Sequence, residues 1–408
     1  MWGPLRALWT YWDVNRHFPT REKFEAWQSA RIQSWIEKGP ARCAAFEVDK
    51  TTKLSDFPTM DKSVLMGDFE KYNQPQISVE QGWSAFEGER MVDGYHVGAS
   101  TGTSGNRGLF VISDEERFAW LGAILGKALP GFWKRKTRIA VILPLHTRLY
   151  DAAHGFGPIQ LSFFDLTQGL DSWLENLVKF GPTHIVAPPK ILRLLAERAA
   201  DRLPVEKVFS GAEVLDDKDA EIIREWTQLG QIYMATEGLL AVSCEHGALH
   251  LCEDIFHFEL EPVGENLCVP IISDFRRRTQ AMVRYRLNDV LEMSDQVCPC
   301  GNVHKVVKRV VGREDDVFVF GDVSITPDVL RNAVVDADRS IHDFRIVRKK
   351  DRVEVSLPLD VSPLAPDAVK EALSLVFERF GVSVEVQVNV CDVKPPMDKK
   401  LRRVVCEV

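Results

Sequence analysis

Strand-like and helical segments alternate between residues 108 and 234, and this alternation limits the possible folds more than any other feature of the sequence. Apolar patterns typical of buried strands lie at residues 108–113, 138–143, 183–187, 207–209 and 231–234. Helical patterns lie at residues 171–180, 190–200 and 216–228, and a capping box of Ser113 and Glu116 predicts the start of another helix. This order predicts a layered α/β domain that binds ligands on loops at the strand ends.

The regions on either side have a different character. Over residues 1–80 the pattern is helical, with apolar residues spaced to form one face: Phe24, Trp27, Ile32, Trp35 and Ile36. From residue 317 the predicted order is strand, helix (327–337), two strands (344–349 and 353–357), helix (366–380) and strand (382–390). Because residues 312–316 are polar and turn-forming, we place a domain boundary there. The chain is thus predicted to have a large α/β domain over residues 1–312, with a helical lead-in over 1–80, and a small α+β domain over 313–408.

The composition is that of a soluble globular protein, with 408 residues, 45% apolar and 27% charged. The formal charge of −8 argues against a nucleic-acid surface, which needs clustered Lys and Arg. The longest apolar stretch, residues 118–132, is interrupted by Lys127 and Pro130 and is shorter than the roughly 20 residues of a membrane span. With no secretion signal at the N-terminus, we expect a cytoplasmic monomer or homodimer that binds neither nucleic acid nor membrane.

Residues 98–108 combine glycines with hydroxyl side chains. Ser100, Thr101, Thr103 and Ser104 lie among Gly98, Gly102, Gly105 and Gly108. Backbone amides left open by glycine and hydroxyl donors can together wrap a polyphosphate at close range. The segment lacks the Gly-Lys-Ser/Thr of a Walker loop and the spacing of a dinucleotide fingerprint. It therefore predicts an anion-binding loop of another kind, the alternative being a flexible surface turn.

Cysteine and histidine form a second constellation. Cys298 and Cys300 make a tight Cys-Pro-Cys turn, and Cys244, His246, His250 and Cys252 lie on a preceding segment. Two such clusters predict one tetrahedral zinc site with three thiolates and one imidazole, for which we choose Cys244, His250, Cys298 and Cys300. Four protein ligands leave no position for water, so the role would be structural. The alternative is a set of buried cysteines without a metal.

Several short motifs, taken in order, carry a family resemblance. They are Ser-Thr-Gly-Thr-Ser-Gly at residues 100–105, Tyr-Met-Ala-Thr-Glu-Gly at 233–238, Arg-Tyr-Arg-Leu-Asn-Asp at 284–289, Gly-Arg-Glu-Asp-Asp at 312–316 and Lys-Lys-Leu-Arg-Arg at 399–403. Together they resemble the adenylate-forming superfamily, and most of all its phenylacetate-CoA ligase branch with the coenzyme F390 synthetase-like relatives. The resemblance extends over residues 98 to 403.

This resemblance implies a fold and a reaction. The fold is a large layered α/β N-terminal domain with a small mobile α+β C-terminal domain that rotates about a hinge at Asp315. The reaction is activation of a carboxylic acid by ATP and Mg²⁺, followed by thioester formation on the pantetheine thiol of CoA or of an acyl carrier protein. Two alternatives are AMP transfer to a hydroxyl of a cofactor-like acceptor, as in F390 synthetases, and a non-catalytic nucleotide-binding protein.

The resemblance also implies roles for individual residues. Phosphate binding falls to Ser100, Thr101, Gly102, Thr103, Ser104 and Gly105, and further nucleotide contacts to Gly211, Ala212, Glu213, Tyr233, Asp289 and Arg313. Thr236 would lie near the α-phosphate, Glu237 would bind Mg²⁺, and Lys400 would offset the negative charge of the transition state. Candidates for the acid pocket are His154, Phe156, Phe209 and Ser210, and the two phenylalanines favour an aromatic acid.

Two positions depart from the family pattern. Lys399 and Asn288 stand where relatives usually have glycine, which leaves open which lysine enters the site. The alternative for the basic residues near the C-terminus is a basic tail, and Asp315 and Asp316 can equally be a surface turn. Arg276–Arg278 form the densest basic run, interpreted as a solvated loop or as a positive rim for CoA phosphates or an acidic carrier protein.

Overall fold

The computed structural model describes residues 3–99, 107–134, 136–143, 158–341, 343–391 and 402–408. The chain forms two compact units. Unit 1 contains Met1–Leu287 and Met293–Lys308, and unit 2 contains Asn288–Glu292 and Arg309–Val408. The main crossing between them, at Lys308 and Arg309, lies slightly before the predicted boundary at residue 313.

The helices are α1 (Gly3–Val14), α2 (Arg21–Ile36), α3 (Lys62–Gly67), α4 (Phe69–Tyr72), α5 (Val79–Glu87), α6 (Asp114–Ala128), α7 (Leu170–Phe180), α8 (Pro189–Ala199), α9 (Asp217–Trp226), α10 (Pro327–Ala337) and α11 (Ala365–Arg379). The strands are β1 (Met91–Val92), β2 (Tyr95–Ala99), β3 (Leu109–Ile112), β4 (Thr137–Leu143), β5 (Ile159–Asp165), β6 (His184–Ala187), β7 (Lys207–Ser210), β8 (Gln228–Ala235), β9 (Gly238–Ser243), β10 (Leu249–Leu251), β11 (Phe256–Gly264), β12 (Leu267–Asp274), β13 (Tyr285–Arg286), β14 (Asp289–Ser294), β15 (Val306–Arg313), β16 (Phe318–Phe320), β17 (Val323–Ile325), β18 (Arg345–Arg348), β19 (Arg352–Leu357), β20 (Glu385–Val390) and β21 (Val404–Cys406).

Seven neighbouring strands in the order β10-β9-β8-β7-β6-β4-β5, part of a 12-stranded sheet, organise unit 1. Five neighbouring strands, β5, β4, β6, β7 and β8, pair in parallel, whereas β9 pairs antiparallel with β8 and with β10. The register places Ala187 beside Ser210 and Ser210 beside Gln231. The carboxyl ends of β6 and β7 therefore open at one edge of the sheet, where ligands bind in such folds.

Helices cover both faces of this sheet because side chains alternate along each strand. On β4, Ala140 and Ile142 pack in a core with residues of α7, α8 and α9, whereas Ile139 and Val141 pack in a core with residues of α1 and α6. The capping box at Ser113 and Glu116 is present at the start of α6. The predicted layered α/β architecture is confirmed.

The helical lead-in packs on another part of unit 1. Ile32, Trp35 and Ile36 of α2 join a core with Phe57 and Phe275. At the start of α2, the Arg21 guanidinium pairs with both carboxylate oxygens of buried Glu253, at 2.6 and 2.8 Å. Apolar burial and this buried ion pair together attach α2 to the remainder of unit 1.

Unit 2 is a small α+β structure. Its four-stranded sheet has the order β20-β19-β18-β21, and the core beneath it contains Leu330 and Val334 of α10 and Leu373 and Phe377 of α11. The predicted helices and strands are present, but two strands, β16 and β17, stand where one was predicted, and β21 was not predicted. Among the described residues of either unit, no helix is long and apolar enough to span a membrane.

Candidate active site and metal centre

The Thr236–Glu237 pair lies in the tight turn that joins β8 to β9. Ala235 pairs with Gly238 across the turn, and the register shifts at Tyr233 and Met234. The Arg277 guanidinium donates a hydrogen bond to the Glu237 carbonyl oxygen at 2.9 Å, which anchors the turn from outside. The pair thus occupies a loop after a strand, as predicted. Tyr233, on the preceding strand, is half-buried.

The turn after β7 has an unusual backbone. The Gly211 amide donates a hydrogen bond to the Ala187 carbonyl oxygen of the neighbouring strand at 3.1 Å. Ala212 then takes a left-handed conformation with φ of +68°. This conformation is uncommon for a residue with a Cβ and is found most often at functional sites. Glu213 completes the turn and is half-buried.

A cleft opens beside the Thr236–Glu237 turn. It is lined by Lys62, Leu65, Gly108, Leu109, Phe110, Thr236, Glu237, Met282 and Tyr285. The lining combines an ammonium, a carboxylate and two hydroxyls with an apolar floor. It also contains Gly108, the last glycine of the predicted anion-binding loop. An ammonium and a carboxylate that can carry a cation suit a phosphate ligand at this point.

Tyr285 fixes the carboxylate in this cleft. Its side chain is 4% exposed, and its hydroxyl forms a hydrogen bond with the Glu237 side chain. Burial raises the pKa of Tyr285, and the charge of Glu237 raises it further. The hydroxyl therefore remains protonated and donates. Tyr285 is itself held by backbone pairing with Ile272 and with Met60.

Lys62 enters the cleft from the first position of α3. Its stem lies against Gly108, where an added Cβ would come within 2.9 Å of Lys62 Cε. Neither Lys62 nor Tyr285 was predicted to take part in the site. For Tyr285 a signal was available, since it belongs to the motif that ends at Asp289, but for Lys62 we find no signal in the local sequence.

Asp289, Arg313 and Asp315 all belong to unit 2. Asn288 donates a hydrogen bond through Nδ2 to Asp315 Oδ2 at 2.5 Å, and its carbonyl oxygen accepts from the Glu314 amide at 2.9 Å. The residue that replaces the family glycine thus contacts the proposed hinge directly. Its amide side chain supplies a contact that glycine lacks.

The surface-turn alternative is wrong for Asp316. This side chain is buried and paired with Arg402, whose Nε lies 3.3 Å from Asp316 Oδ2. Burial raises the pKa of Asp316, and the Arg402 charge opposes that rise. The ion pair anchors the start of the segment that contains β21. Asp315, in contrast, is exposed.

The structure also overturns the interpretation of Arg276–Arg278 as a solvated basic run. Arg276 pairs with buried Asp13 at 3.0 Å, and buried Arg277 pairs with Asp274 at 3.5 Å as well as with the Glu237 carbonyl. Within the run, Arg278 is exposed. The first two arginines satisfy buried acceptors inside unit 1 and are not available to an incoming anion.

The four predicted metal ligands converge in unit 1. Cys244 and His250 flank the turn between β9 and β10, and Cys298 and Cys300 precede β15, which pairs with β10. One ligand atom from each residue lies within 4.8 Å of the others. The Sγ atoms of Cys244 and Cys298 are 3.6 Å apart, and Cys300 Sγ is 3.3 Å from His250 Nε2. His246 and Cys252 are not part of this cluster.

The histidine is oriented for ligation. His250 Nδ1 lies 3.1 Å from the His304 carbonyl oxygen. Because a carbonyl only accepts, Nδ1 carries the proton and Nε2 presents its lone pair to the cysteines. Burial raises the pKa of Cys300 to about 12 and raises that of Cys244. Three soft sulfur donors and an oriented imidazole are a donor set that fits tetrahedral zinc.

Comparison with known proteins identifies the architecture. A 2-hydroxyisobutyryl-CoA ligase in the postadenylation state, bound to 2-HIB-AMP, superposes with a TM-score of 0.72 over 96% of this chain and 91% of its own, at 18% identity. The chain has the adenylate-forming ligase fold. Fatty acyl-adenylate ligases from E. coli and L. pneumophila match with a TM-score of 0.54 over 72% of this chain and 65% of theirs, at 15% identity.

The sequence likeness is narrower than this likeness of fold. The phenylacetate-coenzyme A ligase of Thermus thermophilus is 24% identical in an alignment of 222 residues that covers 48% of this chain. The match spans about half, 49%, of that curated relative's length. No protein-family model matches the chain. The resemblance to the adenylate-forming superfamily and its phenylacetate-CoA ligase branch is confirmed, and so is the fold class.

Several predicted site residues of this adenylate-forming fold lie outside the described residues. They are Ser100, Thr101, Gly102, Thr103, Ser104, Gly105, His154, Phe156 and Lys400. Two predicted acid-pocket residues are described. Phe209 is 1% exposed with the Lys207 ammonium 4.7 Å from its ring centre, and Ser210 Oγ is buried without a hydrogen-bond partner in the described structure. Their roles remain predictions.

Proposed function

We propose that this protein activates a carboxylic acid with ATP and passes the acyl group to a thiol. A carboxylate oxygen attacks the α-phosphorus of ATP, the bond to the bridging oxygen breaks, and pyrophosphate leaves. The thiol sulfur, after losing its proton, then attacks the acyl carbon, and AMP leaves. The observation that carries the proposal is the cleft in which Thr236, Glu237 and Lys62 meet Gly108, in a chain with the adenylate-forming ligase fold.

The residues around the cleft suit distinct tasks in the first step. Glu237, held by Tyr285, would bind Mg²⁺, whose charge neutralises phosphate oxygens. Lys62 would contact the polyphosphate together with the loop at residues 100–105, and Thr236 would donate to the α-phosphate. The remaining roles are proposed from the resemblance: Tyr233 and the Gly211–Glu213 turn for adenine, Asp289 and Arg313 for ribose, and Lys400 for charge stabilisation in the transition state.

For the acid we propose an aromatic substrate, held by Phe156 and Phe209 with His154. The likeness to phenylacetate-coenzyme A ligase supports this choice. Ser210 Oγ lies at the carboxyl end of β7 and has unused hydrogen-bonding capacity in the described structure. It would bind a polar group of the acid. The names of the relatives favour CoA as the thiol, with a phosphopantetheine-bearing acyl carrier protein as the other acceptor.

The second step would need the small domain to move. We propose that rotation about Asp315 withdraws Lys400 and admits the thiol. The Asn288–Asp315 hydrogen bond is placed to influence this hinge, because it ties the residue before Asp289 to the pivot. Both residues belong to unit 2, so Asn288 would influence the rotation by positioning Asp315.

We further propose that Cys244, His250, Cys298 and Cys300 hold a structural zinc ion. The ion would crosslink the β9–β10 turn to the segment before β15. With four protein ligands, it would have no open position for substrate or water. Its contribution would therefore be to stability and not to the chemistry.

The test is pyrophosphate release from ATP and Mg²⁺ over a panel of benzoic, hydroxybenzoic, phenylacetic and fatty acids, each with and without CoA or a holo carrier protein. Release that depends on one acid supports adenylation, and stimulation by one thiol identifies the acceptor. Release that needs a hydroxyl acceptor but no acid would indicate AMP transfer. Bound ATP with no release under any condition would contradict the proposal in favour of a non-catalytic protein.

A further inference from the structure

Helix α1 exposes an apolar stripe to solvent. Its exposed positions are Pro4, Leu5, Leu8, Trp9 and Trp12, and none of them is charged. The larger four side chains have exposed fractions of 59, 40, 45 and 62% in chain order. Trp133, 42% exposed, extends the stripe by packing on Trp12 with ring centres 5.1 Å apart. Contiguous exposed apolar patches on protein surfaces commonly mark interaction sites.

The outward direction of this stripe is fixed by packing on the other side. Gly122 and Gly126 of α6 let α1 approach closely, since a Cβ at Gly122 would lie 2.1 Å from the Ala7 carbonyl oxygen and one at Gly126 2.4 Å from Val14 Cγ2. The inward face is buried and mostly apolar, with Ala7, Thr10, Tyr11, Asp13 and Val14. Rotation of α1 to hide its tryptophans would destroy this contact.

Positive charge surrounds the tryptophan end of the stripe. Buried Asp13 accepts from three arginines, Arg16 at 3.2 Å, Arg31 at 3.0 Å and Arg276 at 3.0 Å, so guanidinium outnumbers carboxylate. Arg16 is 50% exposed and follows Trp12 by one helical turn. Lys134, beside Trp133, is also exposed.

The opposite end of the stripe is closer to neutral. Glu115 and Asp114 are exposed acids there, and each pairs with an arginine: Glu115 with Arg6 at 3.2 Å, and Asp114 with Arg117 at 2.7 Å. The Arg6 guanidinium also lies over the Trp9 ring at 4.7 Å. The net positive charge is therefore greater at the Trp12 end of α1, where the largest apolar side chains lie.

We propose that α1 docks this protein on an anionic membrane surface, with the Leu and Trp side chains among the acyl chains and Arg16 and Lys134 on lipid phosphates. Amphipathic helices with Trp and Leu opposite a buried face, flanked by cations, bind the interface in this way. The stripe has five exposed apolar side chains, whereas a standard protein interface uses roughly 20 to 30 residues per partner, so its size favours a membrane surface over a second copy. No membrane partner was predicted from the sequence, where that prediction rested on the absence of a spanning segment.

The test uses the full chain with two kinds of vesicle, phosphatidylcholine alone and an equimolar mixture with phosphatidylglycerol. Co-sedimentation and a shift of tryptophan emission to shorter wavelength measure binding. We expect the wild type to bind the mixed vesicles at least about tenfold more tightly than the phosphatidylcholine vesicles. Leu5→Ser with Trp12→Ser should weaken binding to the mixed vesicles by about tenfold or more.

Two further variants separate the contributions. Arg16→Gln with Lys134→Gln should remove the preference for phosphatidylglycerol. Leu364→Ser with Leu375→Ser changes side chains that are 74 and 58% exposed in unit 2, and should bind like the wild type. Circular dichroism and melting temperature verify that each variant is folded. Absence of wild-type binding to either vesicle overturns the proposal. So does sedimentation equilibrium that shows a dimer abolished by the Leu5 and Trp12 substitutions, which would assign the stripe to a second copy.

Discussion

Strand β9 separates the two candidate sites of unit 1, which are built in opposite ways. Glu237 precedes its first residue, Gly238, and Cys244 follows its last, Ser243, so six buried residues, about 20 Å, lie between the sites. The cleft is open and combines groups of different charge, as suits ligands that come and go. The Cys/His cluster is closed, and its four side chains are proposed to bind one ion. Substitutions in the cleft should therefore change turnover, and substitutions in the Cys/His cluster should change stability.

The largest expected effect is at Glu237. Glu237→Gln removes the charge proposed to bind Mg²⁺, so acid-dependent pyrophosphate release should fall about a thousandfold, or about 4 kcal/mol. Glu245→Gln is the matched control, the same change at an exposed residue beside Cys244, and should keep its activity. Pyrophosphate release and ATP binding are measured together. Equal losses in both would mean that Glu237 serves binding and not the chemical step.

The second prediction concerns the other end of β9. Cys298→Ser should remove one zinc ion per chain and lower the free energy of unfolding by about 3 kcal/mol, while kcat changes less than about twofold. Metal analysis and thermal unfolding check this. Cys391→Ser, at an exposed cysteine of unit 2, should change neither. Zinc below about half an equivalent in protein purified without added metal, with folding unchanged after chelation, would contradict the zinc proposal.

Lys62 gives a smaller expected effect that sharpens the description of the cleft. Lys62→Met keeps the apolar stem against Gly108 but removes the ammonium, so the KM for ATP should rise about tenfold, or about 1.4 kcal/mol. Lys50→Met, at an exposed position, is the control. Steady-state kinetics at varied ATP provide the measurement. A lower melting temperature with an unchanged KM would assign Lys62 to packing alone.

The smallest effect is expected at Tyr285, which acts through Glu237. Tyr285→Phe removes one hydrogen bond to the carboxylate, so kcat should fall about fivefold, or about 1 kcal/mol, and half-maximal activity should need more Mg²⁺. The readout is a magnesium titration of activity. Tyr95→Phe, at a half-buried position of β2, should leave the titration unchanged. An unaltered magnesium dependence in Tyr285→Phe would show that the hydroxyl does not position Glu237.

Local patterns predicted the elements well where the periodicity was strong. The helix predicted over residues 327–337 is α10 (Pro327–Ala337), and the one predicted over 171–180 is α7 (Leu170–Phe180). The strand predicted at 382–390 begins later, at Glu385, because the chain turns at Phe380 and Gly381, where φ of Gly381 is +69°, and residues 382–384 join no strand. The spacing of apolar residues that distinguishes helices from strands depends on neighbouring residues only, so it can be recognised without knowledge of the fold.

Only some residues of the two candidate sites could be predicted from the local sequence. Cys244, His250, Cys298 and Cys300 could be chosen from the chemistry of their donors, and the structure brings them together. Lys62 could not, since its neighbours in sequence are typical of a helix start and say nothing about Gly108 or Glu237. The prediction of a solvated basic run was wrong for the same reason. The buried acceptors of Arg276 and Arg277, which are Asp13 and Asp274, are not evident from the run itself.

The layered α/β class, the main helices and strands, the motifs that resemble those of adenylate-forming ligases and the residue types of the candidate metal centre could all be predicted from the sequence, because each depends on residue identity and short spacing. Tertiary structure alone decided that Tyr285 and Lys62 meet Glu237, that Asp316 is buried, and that the tryptophans of α1 face solvent. These facts depend on which distant segments pack together. Packing depends on shape and burial summed over the whole molecule, and no local stretch of sequence contains that sum.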